Sequence, residues 1–328
     1  MRIGWIGFHR EGLTPLRALL TSGAPVVAVV TLEPDVAATK SGHADYAALG
    51  HEFNVPLHFV RHINHESSIA LLESLQLDVA FVIGWAQIVS PRALATARLG
   101  MIGAHASLLP EDRGRAPINW ALIKGRQRTG NTLMWLAPDV DAGDIIERTA
   151  IPITPYDTCA TLYDKVADAT RDMILRVVPS LLASQRPGRP QGPSPTPLLP
   201  ARRPEDGEID WRLDNITVYN FIRAITRPYP GAFGWLGDSR VIVWQSALLP
   251  NSLATRFPPG SVIGPVVSPV DAACGQAVAC GEGGVILLEV EDAHGAVISG
   301  RELSEQQWSP RAWRTNAAAG AGRRRSSG

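Results

Sequence analysis

The sequence predicts an α/β protein, with a doubly wound, mostly parallel sheet in its first half and a smaller all-β unit in its second. Three observations carry this. Short runs that are apolar on both faces alternate with helical patterns up to about residue 184. A proline-crowded stretch then interrupts the chain, which neither a helix nor a central strand tolerates. Short β-like runs separated by Gly, Pro, Asn and Asp turns follow it.

The composition agrees. The chain has 328 residues, 45% of them apolar, enough for about two domains and too apolar for general disorder. Its 31 basic and 31 acidic residues cancel, which argues against gripping phosphate backbones as the main task. Cys159, Cys274 and Cys280 are too few and too scattered for a disulfide framework or a zinc ribbon. The first apolar run is broken by His9, Arg10 and Glu11, so it reads as neither a signal peptide nor a membrane span. No later stretch reaches the roughly 18 apolar residues of a spanning helix. A cytoplasmic protein is expected.

In order, residues 3–8 (IGWIGF) form a compact strand-like run, and 13–20 a helix. Residues 25–32 (PVVAVVTL) read as a strand, 43–53 as a helix and 55–60 as a short run. Residues 66–76 carry Ile69, Leu71, Leu72 and Leu75 at helical spacing. Residues 78–84 (DVAFVIG) and 100–105 (GMIGAH) are two further strands. A helix starts at Pro117, whose fixed φ suits a first turn, and a strand covers 131–137. One long amphipathic helix spans 158–184, with Thr158 as its N-cap. Right-handed crossovers make the first half Rossmann-like. Seven prolines between Arg186 and Pro204 mark an extended, semi-rigid linker. A short helix at 214–226 and β-like runs at 241–244, 261–263, 276–280 and 284–290 then predict a small barrel or sandwich. The expected domains are 1–188, a linker at 189–205, a β-barrel (OB-like) at 206–312, and a disordered tail at 313–328, rich in Ala, Gly, Arg and Ser.

Ligands of such sheets bind outside the carboxyl ends of the strands. Two segments qualify: Gly84-Trp85-Ala86-Gln87 after one strand, and His105-Ala106-Ser107 after the next. The strand at 131–137 runs into a loop holding Asp139, Asp141 and Asp144. If it neighbours the strand ending at His105, one of these carboxylates meets the imidazole. Such a pair suits general-base work on an amine near neutral pH. Spacing does not choose among the three aspartates, and the plain alternative is a capping or packing histidine.

HASLLP (105–110), RGRAPINWALIKG (113–125) and DVDAGDI (139–145) resemble the folate-dependent formyltransferases. That family includes the methionyl-tRNA, glycinamide ribonucleotide and sugar-nucleotide N-formyltransferases. DWRLDNITVYNFIRAITRPYPGAF (210–233) resembles the start of the C-terminal barrel of the transfer-RNA enzyme, and equally the domain that modifies UDP-aminoarabinose. The resemblance implies a Rossmann-like catalytic domain followed by a barrel, and direct formyl transfer from 10-formyltetrahydrofolate with no metal. It places the family's catalytic histidine on His105 and its aspartate on Asp141. The family's asparagine falls on Gly103, a departure that removes a donor for the formyl oxygen. Losing one such donor typically costs about 10²–10³ in rate.

The resemblance also implies that the pterin lies beside Gly84, Trp85, Ala86, Gln87 and Ile88 and the Asp139, Val140 and Asp144 loop. Ser107, Arg113, Gly114, Arg115, Ala116, Pro117 and Asn119 should border the amine substrate. The plain alternatives are core packing for Trp85 and a solvated loop for the two arginines. The transfer-RNA enzymes carry a lysine-rich loop after the second strand. The matching residues here, 33–42, hold only Lys40. A small amine is therefore expected, first an amino sugar on a nucleoside diphosphate. Methionyl-tRNA, an N-hydroxyornithine-type amine and a non-catalytic folate binder are the alternatives. His58, His62 and His65 have metal-like spacing without a fourth ligand nearby, and are set aside.

Overall fold

The computed structural model describes residues 1–249, 256–308 and 312–315. They form two compact units, one of Met1–Ala121 with Arg126–Arg202, the other of Leu122–Gly125 with the described residues from Arg203 on.

The first unit is built on seven strands: β1 Ile3–Ile6, β2 Val26–Leu32, β3 Leu57–Val60, β4 Val79–Val82, β5 Gly100–His105, β6 Arg128–Trp135 and β7 Ile145–Pro152. Their order is β3-β2-β1-β4-β5-β6-β7. β1 to β5 are parallel, whereas β6 and β7 are each antiparallel to the preceding strand. Alternate residues feed two cores. Ile3, Trp5, Phe81 and Ile102 pack with Leu16 and Leu19 of α1 (Leu13–Thr21) and with Met173, Ile174 and Leu181 of α7 (Cys159–Leu182). Ile6, Ala80, Val82 and Met101 pack with Ile69 and Leu72 of α4 (Glu66–Leu75) and with Ala93 of α5 (Pro91–Leu94). Helices thus cover both faces, which is why the strands are apolar on both. Three shorter helices, α2 (Pro34–Ala37), α3 (Ala47–Glu52) and α6 (Pro117–Ile123), complete the connections.

The proline-rich stretch is docked on this unit. Arg189 and Ile145 exchange backbone hydrogen bonds, and the Trp135 indole N–H donates to Pro187 O at 2.6 Å. Leu199 N–H donates to Arg113 O at 2.7 Å and Leu199 O accepts Arg115 N–H at 2.9 Å. The stretch lacks its own ladder, so its backbone groups find partners on loops of the sheet.

The second unit begins with α8 (Asn215–Ile225), capped by the Asp214 carboxylate, which accepts Thr217 N–H at 2.9 Å. β8 (Ala232–Leu236), β9 (Ser239–Leu249), β10 (Val262–Val266), β11 (Gly275–Ala279), β12 (Gly284–Glu291) and β13 (Val297–Ser299) form an antiparallel sheet, followed by α9 (Gly300–Ser304). The order is β10-β11-β12-β9-β8, with β13 on β12. This corrects the expected closed barrel. Among the described residues β8 and β10 do not pair with each other. Instead Leu236 bridges to Trp313, and Ser261, just before β10, bridges to Ala312. Of the expected tail from residue 313, the first three residues are described. Trp313 is buried against Trp211 and Trp308, with ring centroids 5.2 and 5.9 Å away. Such a large apolar area stays out of water. Residues 316–328 of the expected tail lie outside the described residues.

Candidate functional site

β5 ends on His105, in register with Thr132 of β6. Because β6 is antiparallel, its last residue Trp135 stands opposite Ile102, short of His105. The loop after β6 must therefore turn back along β5 to bring an aspartate to the imidazole. Two features permit this. Asp141 adopts a left-handed φ of 52°, and Gly143 lies so close to Trp135 that a Cβ would sit 1.8 Å from its carbonyl oxygen. The result is an Asp141 Oδ2 to His105 Nδ1 distance of 3.5 Å. Asp141 Oδ2 also accepts the Gly114 N–H at 2.9 Å.

The other ring nitrogen has a backbone partner. His105 Nε2 lies 2.8 Å from the Asp112 carbonyl oxygen. A carbonyl only accepts, so Nε2 carries a hydrogen, and Nδ1 is the ring nitrogen that faces Asp141. The backbone carbonyl of Asp112 thus orients the ring, and the Asp141 carboxylate faces the nitrogen that can take a proton. The loop that delivers this carbonyl is fixed from several sides. Thr132 Oγ1 donates to Ser107 O and accepts Leu109 N–H, and Arg148 donates to Leu109 O at 2.6 Å. Thr196 Oγ1 accepts Asp112 N–H at 3.0 Å, and Arg126 pairs with the Asp112 carboxylate at 2.9 Å.

Beside the pair lies a cleft of about 250 Å³ between residues 84–89 and 136–143. Gly103, Ala104, Gly114, Arg115 and Asp141 line it; His105, 3.5 Å from the Asp141 carboxylate, is not itself among the lining residues. Val82, Leu136 and the exposed Ile88 and Val140 supply apolar walls, with Glu11, Arg115, Asp139 and Asp141 among the polar residues of the lining. These residues fit a flat heteroaromatic ring with polar edges. The buried Trp85 indole N–H, which meets no hydrogen-bond acceptor, fits too. No group of His, Cys, Asp and Glu among the described residues is arranged to hold a metal ion. A larger cleft of about 680 Å³ along α1 shares no residue with this one.

The expected site residues divide by position. Gly84, Trp85, Ala86, Gln87, Ile88, Asp139 and Val140 line the cleft with Gly103, Gly114, Arg115 and Asp141. Trp85 also packs edge-on to Phe8, with centroids 5.9 Å apart. The Gln87 amide is committed to Ile63 N–H and Arg61 O, so its side chain braces the segment. Ser107 is buried, its hydroxyl donating to Glu111 O at 2.7 Å. Arg113 is bound to Gln191 and Gly192, and Asp144 faces Arg186 at 3.5 Å. Ala116 takes a left-handed φ of 52° just before Pro117 opens α6, and Asn119 is buried on that helix. None of these last six lines the cleft.

Four residues escaped the sequence reading. Asp112 and Gln191 act through backbone contacts that no pattern announces. Leu136 fills the space above Gly103, where an added Cβ would come within 2.6 Å of its Cδ2. Glu11 lines the cleft next to Gly84, and burial pushes its carboxyl up to about 7. It follows the first strand, where ligand sites gather, and that was its available signal. His9 beside it accepts the Glu11 N–H at Nδ1, and burial, aided by Arg10, holds its ring down to about 4.

Fold and site define a Rossmann-like α/β protein with an imidazole–carboxylate pair beside a cleft at the sheet edge. The sequence matches the model of the Formyl transferase family over residues 15–178 and that of the Formyl transferase C-terminal domain over residues 202–307. The chain belongs to the formyl transferase family, and is an enzyme of that class.

Among solved structures it is similar to HypX from Aquifex aeolicus in complex with tetrahydrofolic acid, with a TM-score of 0.65 and 18% identity. That match covers 91% of this chain and 45% of HypX, so the chain spans less than half of that relative. It is also similar to WlaRD, a sugar 3N-formyl transferase solved with dTDP and 5-N-formyl-THF. There the TM-score is 0.57 and the identity 16%, over 87% of this chain and 96% of WlaRD. At such identities the likeness is one of fold.

Proposed function

We propose that the protein transfers a formyl group from 10-formyltetrahydrofolate to the amine of a small substrate, an amino sugar carried on a nucleoside diphosphate. The single observation that carries this reading is the 3.5 Å approach of Asp141 to Nδ1 of His105 beside a cleft of mixed polar and apolar lining. Bound in that cleft, 10-formyltetrahydrofolate would supply an activated one-carbon acyl group: as the amine nitrogen bonds to the formyl carbon, the bond from that carbon to N10 breaks, and tetrahydrofolate leaves with a proton on N10. His105 takes the amine proton at Nδ1, directly or through a water, because Nε2 is committed to Asp112. Asp141 stabilises the imidazolium so formed, and the Gly114 N–H holds the carboxylate in place. Gly103 offers no side-chain donor to the oxygen that gains negative charge. Arg115, exposed at the cleft, suits the diphosphate of a nucleotide. The similarity of fold to a sugar 3N-formyl transferase supports the choice of amine.

The test is incubation with 10-formyltetrahydrofolate and a panel of amino sugar nucleotides, alongside methionyl-tRNA, with products read by mass. Formyl gain on an amino sugar nucleotide is expected. His105→Ala should abolish it, and Asp141→Asn should slow it by about 10²-fold or more. Formylation of methionyl-tRNA alone would sink the choice of substrate. Full activity in His105→Ala would sink the mechanism.

A further inference from the structure

The proline-rich segment between residues 187 and 200 bonds to both loops that carry the imidazole–carboxylate pair. On the carboxylate side, Gln191 Nε2 donates to Asp141 O at 3.0 Å and also to Gly143 O. Its Oε1 accepts from Arg113 Nη2 at 2.7 Å. One side-chain amide therefore ties the Asp141 turn to the 112–115 loop. On the imidazole side, Thr196 Oγ1 accepts Asp112 N–H at 3.0 Å, and the Asp112 carbonyl is what orients His105. Leu199 fixes the same loop at Arg113 O and Arg115 N. Between them stands Gly114, whose N–H reaches the Asp141 carboxylate. The Asp141 turn needs such support, since a non-glycine residue at φ 52° is disfavoured and persists where its surroundings hold it.

We propose that the segment 187–200 is a strap that sets the geometry of the His105–Asp141 pair, and that Gln191 is its principal positioning residue. The inference rests on the proposed role of that pair. Glutamine suits the task because it offers two N–H donors to two carbonyls and an oxygen to a guanidinium. Glutamate, of the same shape, keeps the oxygen for Arg113 but presents an acceptor to both carbonyls.

Gln191→Glu and Gln191→Ala, made in the full chain, test this, with Leu198→Ala as a control at an exposed position of the same segment. Two readouts apply. The first is hydrogen exchange, which needs no turnover. Both Gln191 variants should speed exchange at Gly114 and across 141–144, and the control should not. The second is a double-mutant cycle on formyl transfer. Gln191→Glu should lower kcat by about 10- to 100-fold, the scale of a misplaced catalytic group. Added to Asp141→Asn it should cost nothing further, because the carboxylate it positions is already gone. Unchanged exchange, or losses that multiply independently in the double variant, would overturn the strap. Absence of any transfer by the wild type would overturn the proposed function instead, while exchange still reads the strap.

Discussion

At the scale of single residues, the site turns on small substitutions of space and charge. Gly103 and Leu136 are complementary, the side chain of one occupying the room left by the other. Gly103→Asn alone should therefore crowd the cleft floor, costing about 1–3 kcal/mol in thermal unfolding and lowering activity. Gly103→Asn combined with Leu136→Ala should recover stability and exceed the wild-type rate if a side-chain amide can meet the formyl oxygen. A double variant slower than Gly103→Asn alone would show that Leu136 does more than fill space. The sequence reading identified the missing donor but not the leucine over it, because the two are brought together only by the return of the loop after β6.

Glu11 gives a second residue-scale prediction. Its carboxyl rises from 4.5 to about 7 in the fold, so between those values the native state holds a proton that the unfolded chain has released. Its contribution to stability therefore falls as pH rises through that window and is level above it. His9 acts in the opposite sense, since its native form stays neutral down to about 4 while the unfolded ring protonates near 6.5. Among the described residues Arg10, Tyr46 and Tyr163, whose ring centroid lies 4.7 Å from that of His9, also interact with this pair. Glu11→Gln should abolish the first dependence and leave the second. Its stability relative to wild type should gain up to about 3 kcal/mol between pH 4.5 and 7, measured by urea unfolding across pH. A parallel pair of stability curves would show that the Glu11 carboxyl ionises as freely as in water.

At the scale of elements, the strands that were legible are those apolar on both faces. β1, β2, β4 and β5 fall where the sequence places them because each is buried between helices. β7 was missed. Its exposed positions and the charged pair Glu147 and Arg148 give it no run. β8 was missed because Gly234 interrupts so short a segment. Strand direction is not written in periodicity at all, so the reversal at β6 could not be read, although it decides how Asp141 reaches His105. Helix ends were clearer. Thr158 and Thr161 form a reciprocal cap on α7, each hydroxyl accepting the other's backbone N–H. Thr158→Ala should cost about 1 kcal/mol in thermal unfolding. A loss below a few tenths would show that α7 is held by its buried face alone.

At the scale of the whole molecule, the proline-rich stretch belongs with the first unit as far as Arg202, beyond the boundary expected at residue 188. Proline content correctly signalled an extended segment without a ladder of its own. It could not signal that Thr196 and Leu199 find their partners on a loop some eighty residues earlier, or that Gln191 reaches Asp141 fifty residues back and Arg113 78 residues back. A chain ending at Arg202 should therefore melt at a higher temperature than one ending at Gly188, by circular dichroism. Equal melting would mean that the docked segment adds no stability. Among the described residues no helix is long and apolar enough to cross a membrane.

The late position of the strap has a consequence for how the protein comes into being. In the order of synthesis both the imidazole and its carboxylate precede Gln191, the carboxylate by fifty residues, so the contacts that fix their spacing are the last to become available. Chemical competence therefore waits on residues that follow every strand of this unit's sheet, so the geometry of the pair is completed last along the chain.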